Sequence, residues 1–185
     1  APRTAPGKPY KINMIVKGDI TTTDGDNILA GQLIFWSNNN AWVGAEDVIF
    51  GPVTSDWTQL SLPITLGDNV GGNEGGGVQI IINYTGTGTM FIDNVEMYEV
   101  AGTPEEPEAP TLDTTNLFLN GDFEILDEED RPVNFGLGGD EKDWAENFFL
   151  ESDSDNVYSG KYSVKITTST WTCIWPGHDA LEPGA

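Results

Sequence analysis

The sequence predicts an all-β sandwich of about ten antiparallel strands. Three observations lead there. Apolar residues alternate with polar ones at period two in one segment after another, the pattern of half-buried strands. Clusters of Gly, Asp and Asn break those segments at short intervals, as tight turns between strands require. No stretch carries a convincing 3.6-residue apolar period, so helices are expected to be short turns at most.

In 10–16, Tyr10, Ile12, Met14 and Val16 alternate with Lys11 and Asn13, which sends one face to a core and the other toward solvent or ligand. Similar runs cover 28–37, 41–50, 57–66, 78–84 and 89–99. Thr-Asp-Gly-Asp at 23–26 and Gly-Asp-Asn-Val-Gly-Gly at 67–72 supply turns between them. The stretch Ala-Gly-Thr-Pro-Glu-Glu-Pro-Glu-Ala-Pro at 101–110 is too rich in proline and like charge to build a core, so 101–115 reads as a linker. Beyond it, strands are expected at 116–124, 147–152, 160–168 and 170–175.

Taken alone, each segment would expose an unpaired edge and half a core. Residues 1–100 and 116–185 are therefore expected to complete one sandwich together. Three arrangements satisfy this: a permuted single domain, a dimer that exchanges halves, or a slice through two tandem modules. A linker of roughly fifteen residues extends to about 45–50 Å, enough for closure within one chain or between two.

Thirty acidic residues against eight basic give a net charge of -22. Such a surface repels phosphate and anionic headgroups, so neither nucleic acid nor an anionic lipid surface is an expected partner. No apolar run approaches the roughly 18–20 residues that cross a bilayer, so membrane insertion is not expected. The N-terminal Ala-Pro-Arg-Thr-Ala-Pro-Gly-Lys lacks the apolar core of a signal peptide. With Cys173 the single cysteine, an intrachain disulfide framework is excluded.

Three short stretches carry a resemblance. Gly-Thr-Met-Phe-Ile-Asp-Asn-Val-Glu-Met-Tyr at 88–98 is similar to the closing stretch of family 4 carbohydrate-binding modules and their jelly-roll relatives. Asn-Leu-Phe-Leu-Asn-Gly-Asp-Phe-Glu at 116–124 resembles their opening stretch, and Tyr158-Ser159-Gly160-Lys161-Tyr162-Ser163-Val164 the strand that follows it. Here the closing stretch comes first, so the halves stand in permuted order. The resemblance implies a jelly-roll β-sandwich, with a C-terminal-type half in 1–100 and an N-terminal-type half in 116–185. It also implies a secreted or cell-surface bacterial protein, a noncatalytic module of a larger xylanase that binds soluble β-1,4-linked plant polysaccharide in a groove on one sheet. Xylan is the first expected ligand and mixed-linked β-glucan the second. A structural or adhesive β-sandwich without glycan binding is the alternative, its Trp residues filling cores and strand ends.

Sugar rings need flat apolar surfaces for their C–H faces and amides or carboxylates for their hydroxyls. Trp42 lies among the polar residues Ser-Asn-Asn-Asn-Ala-Trp-Val-Gly at 37–44. The resemblance places it, and Trp171, where xylan- and glucan-binding members carry stacking aromatics. Trp175 shares strand parity with Trp171 and Cys173 and would lengthen that platform. Trp36 shares parity with Gln32 and Ile34 and belongs either to the groove or to the core. On 78–84, Gln79, Ile81 and Asn83 face one way while Ile80, Ile82 and Tyr84 face the other. Ile81 falls where some xylan binders carry a hydrogen-bonding side chain, which leaves Gln79 and Asn83 to supply those bonds. Trp57 and Trp144 match structural positions of the family, and Trp57 is expected in the core.

The same resemblance implies a structural Ca2+ ion that pins the opening strand to the closing one. Asp93 and Glu124 would give carboxylates, Asp122 and Lys161 main-chain carbonyls. Little points to catalysis. His178, the only histidine, has no neighbouring Ser, Cys or second His, and the Gly75-Gly76-Gly77 run precedes a strand where a phosphate loop would begin a helix.

Overall fold

A computed structural model describes residues 4–37, 39, 41–71, 77–101, 111–112, 116–118, 120–139, 148–167 and 172–176. Among these residues every regular element is a strand: β1 (Pro9–Thr22), β2 (Ile28–Trp36), β3 (Trp42–Pro52), β4 (Thr58–Thr65), β5 (Gly77–Tyr84), β6 (Gly86–Ala101), β7 (Thr111–Leu112), β8 (Phe135–Gly139), β9 (Phe148–Glu151), β10 (Ser163–Thr167) and β11 (Thr172–Pro176). They form two antiparallel sheets. One has the order β4-β1-β6-β10-β9, with β7 pairing β6; the other has the order β3-β2-β5-β11-β8.

The alternation that predicts strands also closes the sandwich. From the first sheet, Ile12, Met14 and Val16 of β1, Met90 and Ile92 of β6 and Val164 and Ile166 of β10 enter one core. Leu29 and Leu33 of β2, Val78, Ile80 and Ile82 of β5 and Ile174 of β11 meet them from the second. Burying each such side chain contributes about 1.5–3 kcal/mol. The core is shared by residues before 101 and after 115. β10 pairs with β6 in register Val164↔Ile92, and β11 pairs with β5 in register Ile174↔Ile82.

Several elements differ from the sequence expectation. Residues 116–118 and 120–124 form turns where a strand was expected. Asn120 and Phe123 stand at φ 59° and 61°, a left-handed conformation no strand accommodates. Asn120 stabilises that path: its side-chain amide donates to the carbonyls of Ile125 and Val133, and its Oδ1 accepts from Ile125 N. Phe123 is thereby delivered fully buried into the core, 4.7 Å from the ring of Phe135.

The strand expected at 160–168 begins only at Ser163, because 158–162 is held as a loop by two carboxylates described below. β8 was not foreseen, since Phe-Gly-Leu-Gly-Gly carries too few side chains to show alternation. Within the expected linker, Thr111 and Leu112 pair with Ala101 and Val100. Asn13, expected to face outward, is buried beside a bulge in β1, and its Oδ1 accepts from Ser61 Oγ. Trp57 lies outside the core, half-buried on the outer side of the first sheet. There Lys17 Nζ stands 5.6 Å from its ring and Tyr158 packs edge-on at 5.7 Å.

Gly121 gives a close backbone join between the two parts of the chain. Its carbonyl accepts a hydrogen bond from Val95 N at 2.8 Å, and a Cβ at this position would collide with the Val95 carbonyl. Gly121→Ala is expected to destabilise the fold by about 1–3 kcal/mol. Urea denaturation checks this, and an unchanged midpoint would show that the join contributes nothing.

Candidate functional site

Cross-strand partners in an antiparallel sheet share a face, so register alone orders the outer side of the second sheet into rungs. The first rung is Trp42 of β3, Trp36 of β2 and Gly77 of β5. Ala45, Ile34 and Gln79 form the second, and Asp47, Gln32 and Ile81 the third. The fourth is Ile49, Ala30 and Asn83, with β11 placing Cys173 beside Asn83. Inner positions Val78, Ile80, Ile82 and Tyr84 are all buried.

At the first rung Trp42 is 64% exposed, a costly placement for an indole, while Trp36 opposite it is half-buried. On the second rung Gln79 is only 7% exposed although it stands on the outer face. Gln32 Nε2 donates to Asp47 Oδ1 at 3.0 Å across the third rung. Asn83 is half-buried, and its Oδ1 has no hydrogen-bond partner among the described residues. The sheet thus brings Trp42, Trp36 and Gln79 to one end of the face. Asn83 stands about 20 Å away along β2, six strand residues from the first rung.

Trp171 lies outside the described residues, as do Trp144 and His178. Trp175 is placed by its backbone on β11, opposite Gly136 of β8, and its side chain lies outside the described residues. Asp47 and Ile49 were missed as face residues. Their parity was available from sequence, but bulges between Leu29 and Ala30 and between Phe35 and Trp36 set which β2 residue each opposes.

The second cluster of interest fastens the loop before β10. Asp93, 0% exposed, accepts hydrogen bonds at Oδ2 from Tyr158 N and Ser159 N, and at Oδ1 from Asn94 N. Glu124 Oε1 accepts from Lys161 N at 2.7 Å and Tyr162 N at 2.9 Å. Between them Gly160 sits at φ 70°, where a Cβ would strike the Glu124 carboxylate. One loop is therefore gripped by two acids from distant strands and turns. Burial pushes the Asp93 carboxyl up to about 6, against the pull of its three N–H donors, and the neighbouring Glu124 charge adds to the rise.

Asp122 and Lys161 are exposed beside this clamp. Among the described residues no group of three or more His, Cys, Asp or Glu side chains is placed to hold a metal. An ion here would rest on Asp93 and Glu124 with main-chain oxygens. Carboxylates are the donors a hard cation takes, yet both Asp93 oxygens already accept backbone N–H groups, and of the two acids only Glu124 Oε2 accepts no hydrogen bond among the described residues.

Comparison with known proteins adds no relative: no family model matches the chain, and no curated protein or solved structure matches it either.

The Asp93 shift fixes a pH dependence. Its folded value of about 6 stands above the ordinary 3.8, so between those values the folded state holds a proton that the unfolded chain releases. This contribution to stability is complete below about pH 4 and is lost as pH rises through 6. In calcium-free buffer, melting temperatures are expected to fall over that window, on top of the other carboxylates, and Asp93→Asn is expected to remove that component. A wild-type profile that the variant reproduces would contradict the assignment.

Proposed function

We propose that this chain is a noncatalytic carbohydrate-binding module, of the family 4 type with its halves in permuted order, that holds a soluble β-1,4-linked plant polysaccharide against the outer face of the second sheet. Xylan is the first choice and mixed-linked β-glucan the second. The observation that carries the reading is Trp42: an indole left open to solvent, opposite a second indole, with the Gln79 and Gln32 amides on the next two rungs. Indole faces supply the flat apolar surface that sugar C–H groups need, and half-buried Gln32 with exposed Asp47 offers hydroxyls the donors and acceptors left over from their own bond. The net charge of -22 suits a neutral ligand.

In this reading the module is secreted or cell-surface and bacterial, and serves a larger polysaccharide-degrading enzyme. Ca2+ is a structural ion held by Asp93 and Glu124 with the carbonyls of Asp122 and Lys161. When bound it neutralises the two carboxylates and adds no chemistry toward the sugar. The clamp on 158–162 then fixes where β10 begins, and Trp42 acts from the opposite sheet.

An open, wet face leaves many sugar hydroxyls hydrated, so binding is expected at about -5 to -7 kcal/mol. Trp42→Ala is expected to weaken retardation in xylan gels on the order of tenfold without altering the circular dichroism spectrum. Trp57→Ala, on the other sheet, is expected to leave retardation unchanged. Equal mobility of wild type and Trp42→Ala would remove the groove, and absence of retardation by any soluble glycan would favour a structural or adhesive sandwich. For the ion, chelation by EGTA is expected to lower the melting temperature of the wild type and not of Glu124→Gln. A wild-type melting temperature indifferent to EGTA and added Ca2+ would remove the metal.

A further inference from the structure

At the end of the same sheet face farthest from Trp42 lies a cavity of about 280 Å³. The β1–β2 turn, with Thr22, Thr23, Asp24 and Asp26, forms one wall; Ile28, Ala30 and Ile49 form another; Asn83, Tyr84 and Thr85 complete it. Its volume falls just below the roughly 300–1,000 Å³ of pockets that enclose a drug-sized ligand, which leaves room for one ring and excludes an oligosaccharide.

The walls differ in chemistry. Ile49 is 69% exposed and Ala30 lies beside it in register, an apolar strip in contact with water. Beside the strip on the same rung, Asn83 lines the cavity, and its Oδ1 has no hydrogen-bond partner among the described residues. Leaving such a group unpaired is costly, so a donor that reaches it is favoured there. Asp26 is fixed by Thr22 Oγ1 and Ile28 N, and these donors hold its carboxyl below the usual range, so it stays charged. Tyr84 is not a free donor, because its hydroxyl already bonds the Thr87 carbonyl.

We propose that this cavity is a pocket for a single neutral sugar ring, a terminal or pendant unit of the glycan, and that Asp24 and Asp26 make it reject uronic acids. The ring lies with its C–H face on Ile49 and Ala30, and one hydroxyl pairs with the Asn83 amide, which turns to meet it. Other hydroxyls donate to the two carboxylates. A uronate carboxylate in the same place meets the like charges of Asp24 and Asp26. The inference rests on the carbohydrate-binding reading but on different residues, about 20 Å from the Trp42 end.

The test uses the full chain, labelled with ¹⁵N and titrated with xylose, arabinose and glucose and, separately, with glucuronic and galacturonic acids, in the millimolar range. Neutral sugars are expected to shift the Asn83 side-chain amide and the Asp24 and Thr85 backbone signals while the Trp42 indole signal stays put. Uronic acids are expected to shift none of them. Asp24→Asn, at a surface turn, is expected to keep the fold and to admit glucuronic acid at least several-fold more strongly than wild type. Uronic acids that bind the wild type as well as neutral sugars do would overturn the proposal, as would neutral sugars that leave Asn83 unmoved. If Asn83 responds while Trp42→Ala leaves xylan retardation unchanged, the pocket stands and the groove falls. If Trp42 responds and Asn83 does not, the groove stands and the pocket falls.

Discussion

Two central strands govern this molecule. β5 lies between β2 and β11, and β6 lies between β1 and β10, so each takes one neighbour from early in the chain and one from its far end. Without the later neighbours, both would become edges with unpaired backbone groups and a half-covered apolar face. Ile80, Ile82, Met90 and Ile92 would lose the Ile174, Val164 and Ile166 that share their core. The order of segments in sequence is thus secondary to a spatial requirement, that each central strand be flanked on both sides.

The requirement is met with backbone hydrogen bonds, and it is made specific by two carboxylates. Asp93 occupies β6 and Glu124 follows the turn that carries Gly121, yet both accept from the same loop. A loop held at four N–H groups, at 158, 159, 161 and 162, leaves little choice of register for the strand after it. Among the described residues no such clamp lies on the outer side of β2 and β3. Trp42, Asp47 and Ile49 stand exposed there while Gln79 is covered, and the rows run from Trp42 at one end to Asn83 at the other.

The amount legible in the sequence differs from element to element. Strands with strong alternation, such as Tyr10 to Val16 and Val78 to Tyr84, could be read directly, including which side of β5 goes inward. Alternation failed at 116–124 because apolar residues there enter the core from turns: Phe123 is buried through a left-handed backbone fixed by Asn120, a tertiary arrangement that leaves no periodic trace. It also failed at Phe135–Gly139, where glycine erases the pattern. For the candidate site, parity placed Trp36, Gln79 and Asn83 on their strands. Register, which decides that Asn83 stands apart from Trp42, depends on two bulges in the β2–β3 pair. Trp57 misled because a Trp opening a strand serves equally well as a core residue or as the base of an outer cluster with Lys17 and Tyr158.

One feature of β3 reaches beyond the single molecule. It pairs only with β2 among the described strands, so it borders its sheet while displaying Trp42 and Ile49. A straight border of that composition is a template on which another copy would add itself as a further strand. Two register irregularities bend it, and exposed Glu46 and Asp47 set negative charge against negative charge whenever two copies approach. That charge opposes strand-on-strand addition of a second copy along this rim.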